Sequence, residues 1–275
     1  MIDCFMFFNE FDLLDIRLNS YAPYVERFVL CECPITHSGK PKPLYFNENK
    51  DKYKDFNITH LIVDGYEKYT NLYQGDTMYA RCHNAEKIEN YHRDFIYNGI
   101  KDVDPETIIL LSDADEFVDF TTYREGLEGS FMQYVYFYYL NVYSGKRNGK
   151  GPIVMKKKNI DSRYNGLNQM RTDKWNINKI RTSTGGWCHG WHFTCLGSVE
   201  NILYKIDSCY HQNFNVPEIQ SLLAVNKGSL ADPYLREKYS TKFMVKMPEG
   251  PKWMLDNIDK YDHLIYKENN IGKGE

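Results

Sequence analysis

The strongest constraint on the fold is an apolar run that stops abruptly at three carboxylates. Residues 108–111 read Ile-Ile-Leu-Leu, and Ser112 is followed by Asp113, Asp115 and Glu116 around a single alanine. A short continuous apolar run is typical of a strand buried on both faces of a parallel sheet. Ligands of open α/β sheets bind outside the carboxyl ends of such strands. The sequence therefore predicts a buried strand that delivers acidic side chains to a ligand-binding edge.

The spacing of Asp113 and Asp115 suits two carboxylates that share a divalent cation. Manganese and magnesium prefer oxygen ligands, and the oxygens of a diphosphate would fill the remaining positions. This chemistry favours a nucleotide-sugar transferase. The competing interpretation is a loop whose acids cap the following helix, because carboxylates stabilise helix N-termini.

The chain contains a second Asp-x-Asp, which does not lie at the end of a predicted strand. Asp102 and Asp104 precede Pro105 in a polar connection ahead of the strand. Because Gly, Asp and Pro favour turns, we interpret this copy as a turn with solvated charges. Only the copy at the strand end is expected to bind metal.

Composition limits the class of protein. The 275 residues can bury a sizeable core and fit one large domain. A formal net charge of -3 and a pI of about 6.3 argue against nucleic acid as a partner.

The seven cysteines are odd in number and form no C-x-x-C pair, which favours free thiols in a reducing compartment. The apolar start lacks basic residues and no stretch is long enough to span a bilayer, so we expect a soluble, cytoplasmic protein.

The first 120 residues alternate between predicted strands and helices. Asp76 is expected to cap the longer of two predicted helices, at residues 76–98. Strands are predicted at residues 2–8, 28–33 and 59–63 and at the acid-tipped run, and helices at 11–20 and 76–98. Such alternation predicts an α/β fold with a Rossmann-like, mostly parallel sheet flanked by helices.

The pattern changes after residue 120. Residues 129–143 read as one long aromatic strand and 151–157 as another, and both are expected to extend the sheet as antiparallel strands. Residues 200–209 and 217–225 are expected to be helical. We therefore expect a single catalytic domain over residues 1–275. It would have a nucleotide-binding half at 1–120, an acceptor-binding and metal-completing half at 121–230, and a C-terminal appendage at 231–275.

Three segments together resemble glycosyltransferase family 17. The first comprises DCF at residues 3–5, FNEFDLLDIRL at 8–18 and SGKPKPLYF at 38–46. The second is LSDADE at 111–116, and the third is GWHF at 190–193 followed by SCYH at 208–211. Their order and approximate spacing match the family from residue 2 to about 215. The resemblance implies a GT-A fold, a UDP-sugar donor, a divalent metal cofactor such as Mn²⁺ (or Mg²⁺), and inversion at the anomeric carbon.

The metal would stabilise the leaving diphosphate, as a Lewis acid and template. We expect Asp115 to be the main metal ligand, and Asp113 to bind the ribose or to reach the metal through water. The resemblance implies a histidine from the third segment as a further ligand, and His192 and His211 are the candidates. Each histidine has an alternative role as an ordinary hydrogen-bonded polar residue.

The acceptor hydroxyl needs a general base, for which Glu116 and Asp173 are the candidates. Glu116 lies nearest to the metal site in sequence but is equally able to cap a helix. Asp173 lies in a polar loop, where a surface ion pair is the alternative.

Contacts to the UDP-sugar donor are expected from residues near the first strand and from the third of the segments listed above. Asn9, Glu10 and Asp12 would contact the uridine, or cap the helix that follows. Lys40 and Lys42 are separated by Pro41 in a loop that prolines stiffen, and they would reach phosphate, unless both are solvated. Trp191 would stack on a sugar face, or simply pack in the core.

Two other functions remain open from the sequence. A metal-dependent phosphoryl-transfer enzyme or phosphatase also uses Asp-x-Asp at a strand end, although its nucleophile generally follows the first strand. A carbohydrate-binding protein without catalytic turnover is the other alternative.

Overall fold

The computed structural model describes residues 1–70, 72–148, 151–173, 176–234 and 243–267. Its strands are β1 Ile2–Phe7, β2 Arg27–Glu32, β3 Ile58–Ile62, β4 Ile108–Asp113, β5 Glu116–Val118, β6 Gly129–Ser130, β7 Met132–Phe137, β8 Val142–Asn148, β9 Ile153–Lys156, β10 His189–Thr194 and β11 Met244–Val245. Its α-helices are α1 Phe11–Tyr21, α2 Tyr45–Asn49, α3 Met78–Phe95, α4 Lys157–Arg163, α5 Leu167–Thr172, α6 Val199–Ser208, α7 Pro217–Gly228 and α8 Lys252–Asp256. The predicted C-terminal appendage falls partly outside the described residues.

The first sheet has the strand order β3-β2-β1-β4-β9-β6. Strands β3, β2, β1 and β4 are parallel, and β9 pairs antiparallel with β4. The chain moves outward from β1 to β3 and then returns to the other side of β1 at β4. The order therefore reverses between β1 and β4, which is the point where sheets of this type bind ligands. The predicted α/β fold with a mostly parallel, Rossmann-like sheet is confirmed.

Strand β4 is buried on both faces, as its apolar run predicts. Ile108 and Leu110 join the core that α1 covers, and Ile109 and Leu111 join the core that α3 covers. The alternation follows from the period of two in a strand. Burial of both faces leaves the carboxyl end of β4 as the place where its polar side chains can reach a ligand.

A second sheet has the order β11-β8-β7-β10-β5 and packs against α6 and α7. The prediction of one long strand at 129–143 is wrong, because this segment divides into β6, β7 and the start of β8. Tyr138, between β7 and β8, has a φ of 65°, which ends the extended conformation. The prediction that both later strands extend the first sheet is correct for β9 and wrong for β7, which pairs with β8 and β10 in the second sheet.

Local signals explain several element ends. Thr77, not Asp76, caps α3, and its side chain accepts a hydrogen bond from the Ala80 amide. The Asp102 and Asp104 copy of the acidic spacing lies in an exposed turn, as predicted.

All seven cysteines are free. Among the described residues, no helix combines the length and the apolar character needed to cross a bilayer.

Candidate active site

The two sheets meet at the acidic motif. Strand β4 ends at Asp113 and β5 begins at Glu116, so Ala114 and Asp115 form the connection between the sheets. Strand β10 pairs with β5 and places His192 opposite Glu116. This pairing brings a histidine to residues 113–116, here called the acidic turn, across more than 70 residues of sequence.

A cavity of about 170 Å³ opens at the carboxyl ends of β1 and β4. Its wall combines residues of β1 and β4 and of the loops that follow β1, β2 and β4 with residues of α3 and α6. The polar side chains that line it are Glu10, Thr36, His37, Lys42, Glu89, His92, Asp113, Asp115, Lys205, Ser208 and Tyr210.

Asp115 forms charged contacts with a lysine and a histidine. Its Oδ2 accepts a hydrogen bond from Lys205 Nζ at 2.8 Å, and its Oδ1 lies 3.4 Å from His192 Nε2. Burial alone would raise the pKa of Asp115, but Lys205 and His192 hold the pKa well below its ordinary value. Burial lowers the pKa of His192, yet Asp115 raises it overall. Asp115 is therefore ionised at neutral pH.

Asp113 lies between two arginines. Arg171 donates to Oδ2 at 3.0 Å and Arg93 to Oδ1 at 3.4 Å, while the Asp113 side chain is 38% exposed. Arg93 is itself paired with Glu89 on the same helix. These contacts fix the orientation of Asp113 at the mouth of the cavity.

The predicted bases lie outside the cavity. Glu116 is buried, with Oε1 accepting from Arg171 at 2.6 Å and Oε2 from the Asp113 amide at 3.1 Å. Asp173 accepts hydrogen bonds from Tyr164 and Asn176 just after α5. Neither carboxylate lines the cavity. Glu116 instead stabilises the acidic turn by accepting hydrogen bonds from Arg171 and from the Asp113 amide.

Arg17 is a site residue that the sequence analysis missed. It is fully buried and binds Asp3 through Nε and Nη2 at 2.7 and 2.6 Å. Its Nη1 donates to the carbonyl oxygens of Asp113 and Glu116 at 3.2 and 2.9 Å. The available signal was a charge on the apolar face of α1, three residues after Leu14. Arg17 thus ties β1 and α1 to the acidic turn.

The residues predicted near the first strand line two neighbouring cavities. Asn9, Glu10 and Asp12 line a second cavity of about 440 Å³. Glu10 and Lys205 also line the first cavity, so they form the wall between the two. Asp12 pairs with His263 at 3.0 Å.

The two predicted lysines differ in position. Lys42 lines the first cavity, with its ammonium 3.7 Å from Glu32 and over the Phe8 ring. Lys40 lies on the surface and pairs with Asp207 at 2.6 Å. Only Lys42 is placed to contact a ligand in the cavity.

The third segment divides among three locations. His192 joins Asp115, whereas Trp191, its neighbour in β10, faces the other side of the second sheet. Trp191 lines a separate cavity with Tyr134 and Tyr143. His211 lies after α6 with its ring against Tyr210, and it does not line the first cavity.

The donor atoms at Asp115 fit a divalent cation. Asp115 Oδ1 and His192 Nε2 are 3.4 Å apart, close to the separation of two ligands that each lie ~2.1 Å from one ion. Within the part of the chain that the structure describes, no group of three or more His, Cys, Asp and Glu side chains could hold a metal. Substrate oxygens and water would therefore have to complete the coordination.

Comparison with known proteins supports the resemblance drawn from the motifs. Residues 1–125 match the model described as glycosyltransferase family 17. The resemblance to glycosyltransferase family 17 is confirmed. The matched segment includes Arg17 and all three acids of the turn, whereas His192 and Lys205 lie beyond it.

The similar curated proteins carry a more specific name. A rat beta-1,4-mannosyl-glycoprotein 4-beta-N-acetylglucosaminyltransferase is 24% identical over 293 aligned positions, covering 94% of this chain and 53% of the rat protein. The human protein of the same name is 23% identical with the same coverage. This chain therefore spans about half the length of these relatives. No solved structure matches it.

Proposed function

We propose that this chain is an inverting, metal-dependent glycosyltransferase that moves a sugar from a UDP-sugar to a hydroxyl group of a glycan. The observation that carries the proposal is the placement of Asp115, with His192 and Lys205, beside a cavity at the switch point of the first sheet. Sheets of this kind bind nucleotides at that point. The names of the relatives favour N-acetylglucosamine as the transferred sugar and a mannosyl-glycoprotein as the acceptor.

The leaving diphosphate would bind in the first cavity. Lys42 and Lys205 line this cavity and place positive charge beside the phosphate oxygens. Asp115 and His192 would hold Mn²⁺ or Mg²⁺, which supplies Lewis-acid stabilisation of the leaving UDP. Asp113, fixed between its two arginines, offers carboxylate oxygens to the ribose hydroxyl groups.

Glu10 is the carboxylate best placed to take the proton of the acceptor hydroxyl. It lines both cavities, so it would face a nucleotide in the first and an acceptor in the second. Its Oε2 accepts hydrogen bonds from the amides of Phe8 and Asn9 at 3.2 and 3.1 Å, which orients the carboxyl group. Among the described residues Oε1 has no hydrogen-bond partner. We therefore assign the base to Glu10 rather than to Glu116 or Asp173.

Replacing Glu10 with glutamine tests this assignment. We expect kcat for sugar transfer to fall by roughly 10²- to 10⁴-fold, the usual contribution of a general base, while the affinity for UDP changes little. The matched control is Asp12→Asn, which alters a carboxylate of the second cavity only. Initial rates measured against acceptor concentration separate kcat from KM, and an unchanged kcat in Glu10→Gln would exclude the assignment.

The proposed function itself is tested by release of UDP. The full chain is incubated with a panel of UDP-sugars, without acceptor and with added glycans, in Mn²⁺ or in EDTA. We expect slow Mn²⁺-dependent UDP release from at least one donor, faster release with an accepted glycan, and none in EDTA. Absence of UDP release from every donor and acceptor pair would overturn the proposal.

A further inference from the structure

Two histidines on the wall of the first cavity have no part in the chemistry described above. His37 follows β2, and His92 lies on α3 with 4% of its surface exposed. Nε2 of His37 is 3.3 Å from Nδ1 of His92, and Nε2 of His92 is 3.0 Å from the carbonyl oxygen of Cys31. The two imidazoles and the backbone carbonyl form one hydrogen-bonded chain.

The direction of this chain fixes both tautomers. A carbonyl oxygen only accepts, so His92 must carry its proton on Nε2. Burial lowers the pKa of His92 well below its ordinary value and lowers the pKa of His37 to about 3, so both rings are neutral at physiological pH. Neutral His92 accepts at Nδ1, and His37 therefore donates from Nε2. Nδ1 of His37 is left as an uncharged acceptor.

This acceptor has no partner in the described part of the chain. The same cavity is also lined by the apolar side chains of Met6 and Ile35, which suit a flat ring. A ligand that meets a neutral acceptor there must present a donor. In a pyrimidine nucleotide, uracil has a donor N–H at N3, whereas cytosine has a lone pair at the same position.

Resting on the proposed function, we propose that His37 recognises the N3–H of the uracil of the donor nucleotide, and that His92 positions His37 by holding it in the tautomer that accepts. The pair thereby selects uridine over cytidine nucleotides. Cytosine would bring two lone pairs together, and it would leave the buried acceptor unpaired.

Calorimetric titration of the full chain with UDP and with CDP, both in Mn²⁺, tests the proposal. We expect the wild-type protein to prefer UDP by about tenfold or more, as a lost buried hydrogen bond predicts. His37→Phe keeps a flat ring without an acceptor. It is expected to weaken UDP binding about tenfold and to change CDP binding little, so that the preference disappears.

Two further variants keep the test informative if His37→Phe does not fold. His37→Asn retains an acceptor oxygen at the δ position and is expected to keep part of the UDP preference. His92→Phe leaves His37 free to adopt the other tautomer and is expected to reduce the UDP-to-CDP ratio without removing UDP binding. A purely structural role for His92 would weaken both nucleotides equally.

The possible failures can be told apart. UDP binding with an unchanged UDP-to-CDP ratio in the folded His37 and His92 variants overturns this inference and leaves the proposed function standing. Absence of UDP binding to the wild-type protein overturns both.

Discussion

Asp115→Asn is expected to reduce sugar transfer by roughly 10²-fold or more, because the proposed anionic ligand of the metal that would stabilise the leaving diphosphate is lost. Asparagine has nearly the same shape, but it removes the negative charge that holds Lys205 and His192 at 2.8 and 3.4 Å. It also removes the anionic oxygen that we propose as a metal ligand. The measurement is the rate of UDP release at saturating Mn²⁺ and donor.

The chain supplies a matched control for this variant. Asp104→Asn changes the second aspartate of the other Asp-x-Asp, which lies in an exposed turn, and asparagine can still accept the hydrogen bond from the Glu106 amide. We expect its rate to equal that of the wild-type protein. A folded Asp115→Asn protein that stays within about threefold of the wild-type rate would contradict the role of Asp115.

Arg17→Met is expected to lower the free energy of unfolding by about 3–5 kcal/mol, because it leaves the fully buried Asp3 carboxylate without its partner. Asp3→Asn combined with Arg17→Met is expected to recover part of this loss, since asparagine needs no counter-charge. Arg17→Lys keeps the charge but not the planar fork that binds Asp3 and two carbonyls, so we expect an intermediate value. Urea-induced unfolding measures all three.

An exposed pair of the same residue types is the control for Arg17. Arg81 and Asp76 are 3.2 Å apart with side chains 43% and 86% exposed. Arg81→Met is expected to change the free energy of unfolding by about 1 kcal/mol or less. If Arg17→Met costs no more than Arg81→Met, the buried pair does not stabilise the acidic turn as described.

The sequence predicts the first sheet well because its signals are local. The run at β4 is continuous and apolar, it ends at three acids, and the structure places those acids at the switch point between β1 and β4. The exposed copy at Asp102 and Asp104 was separated from it by position alone. Strand ends and turn residues therefore located the candidate site without knowledge of the pairing.

The partners of the acids could not be predicted in the same way. Lys205, Arg171 and Arg17 reach Asp115, Asp113 and the acidic turn from positions 58 to 99 residues away in the chain. Such contacts depend on how α1, α5 and α6 pack in the folded chain, and no local pattern in the sequence encodes that packing. Glu116 shows the consequence: adjacency in sequence made it a candidate base, whereas the strand period turns it into a buried partner of Arg171.

The central claim is a nucleotide and metal site at Asp115, and calorimetric titration with UDP tests it most directly. The wild-type protein and Asp115→Asn are each titrated with UDP in Mn²⁺ and in EDTA. We predict UDP binding to the wild-type protein that requires Mn²⁺ and that is lost in Asp115→Asn. UDP binding that is equal in all four titrations, or absent from the wild-type protein in Mn²⁺, would contradict the claim.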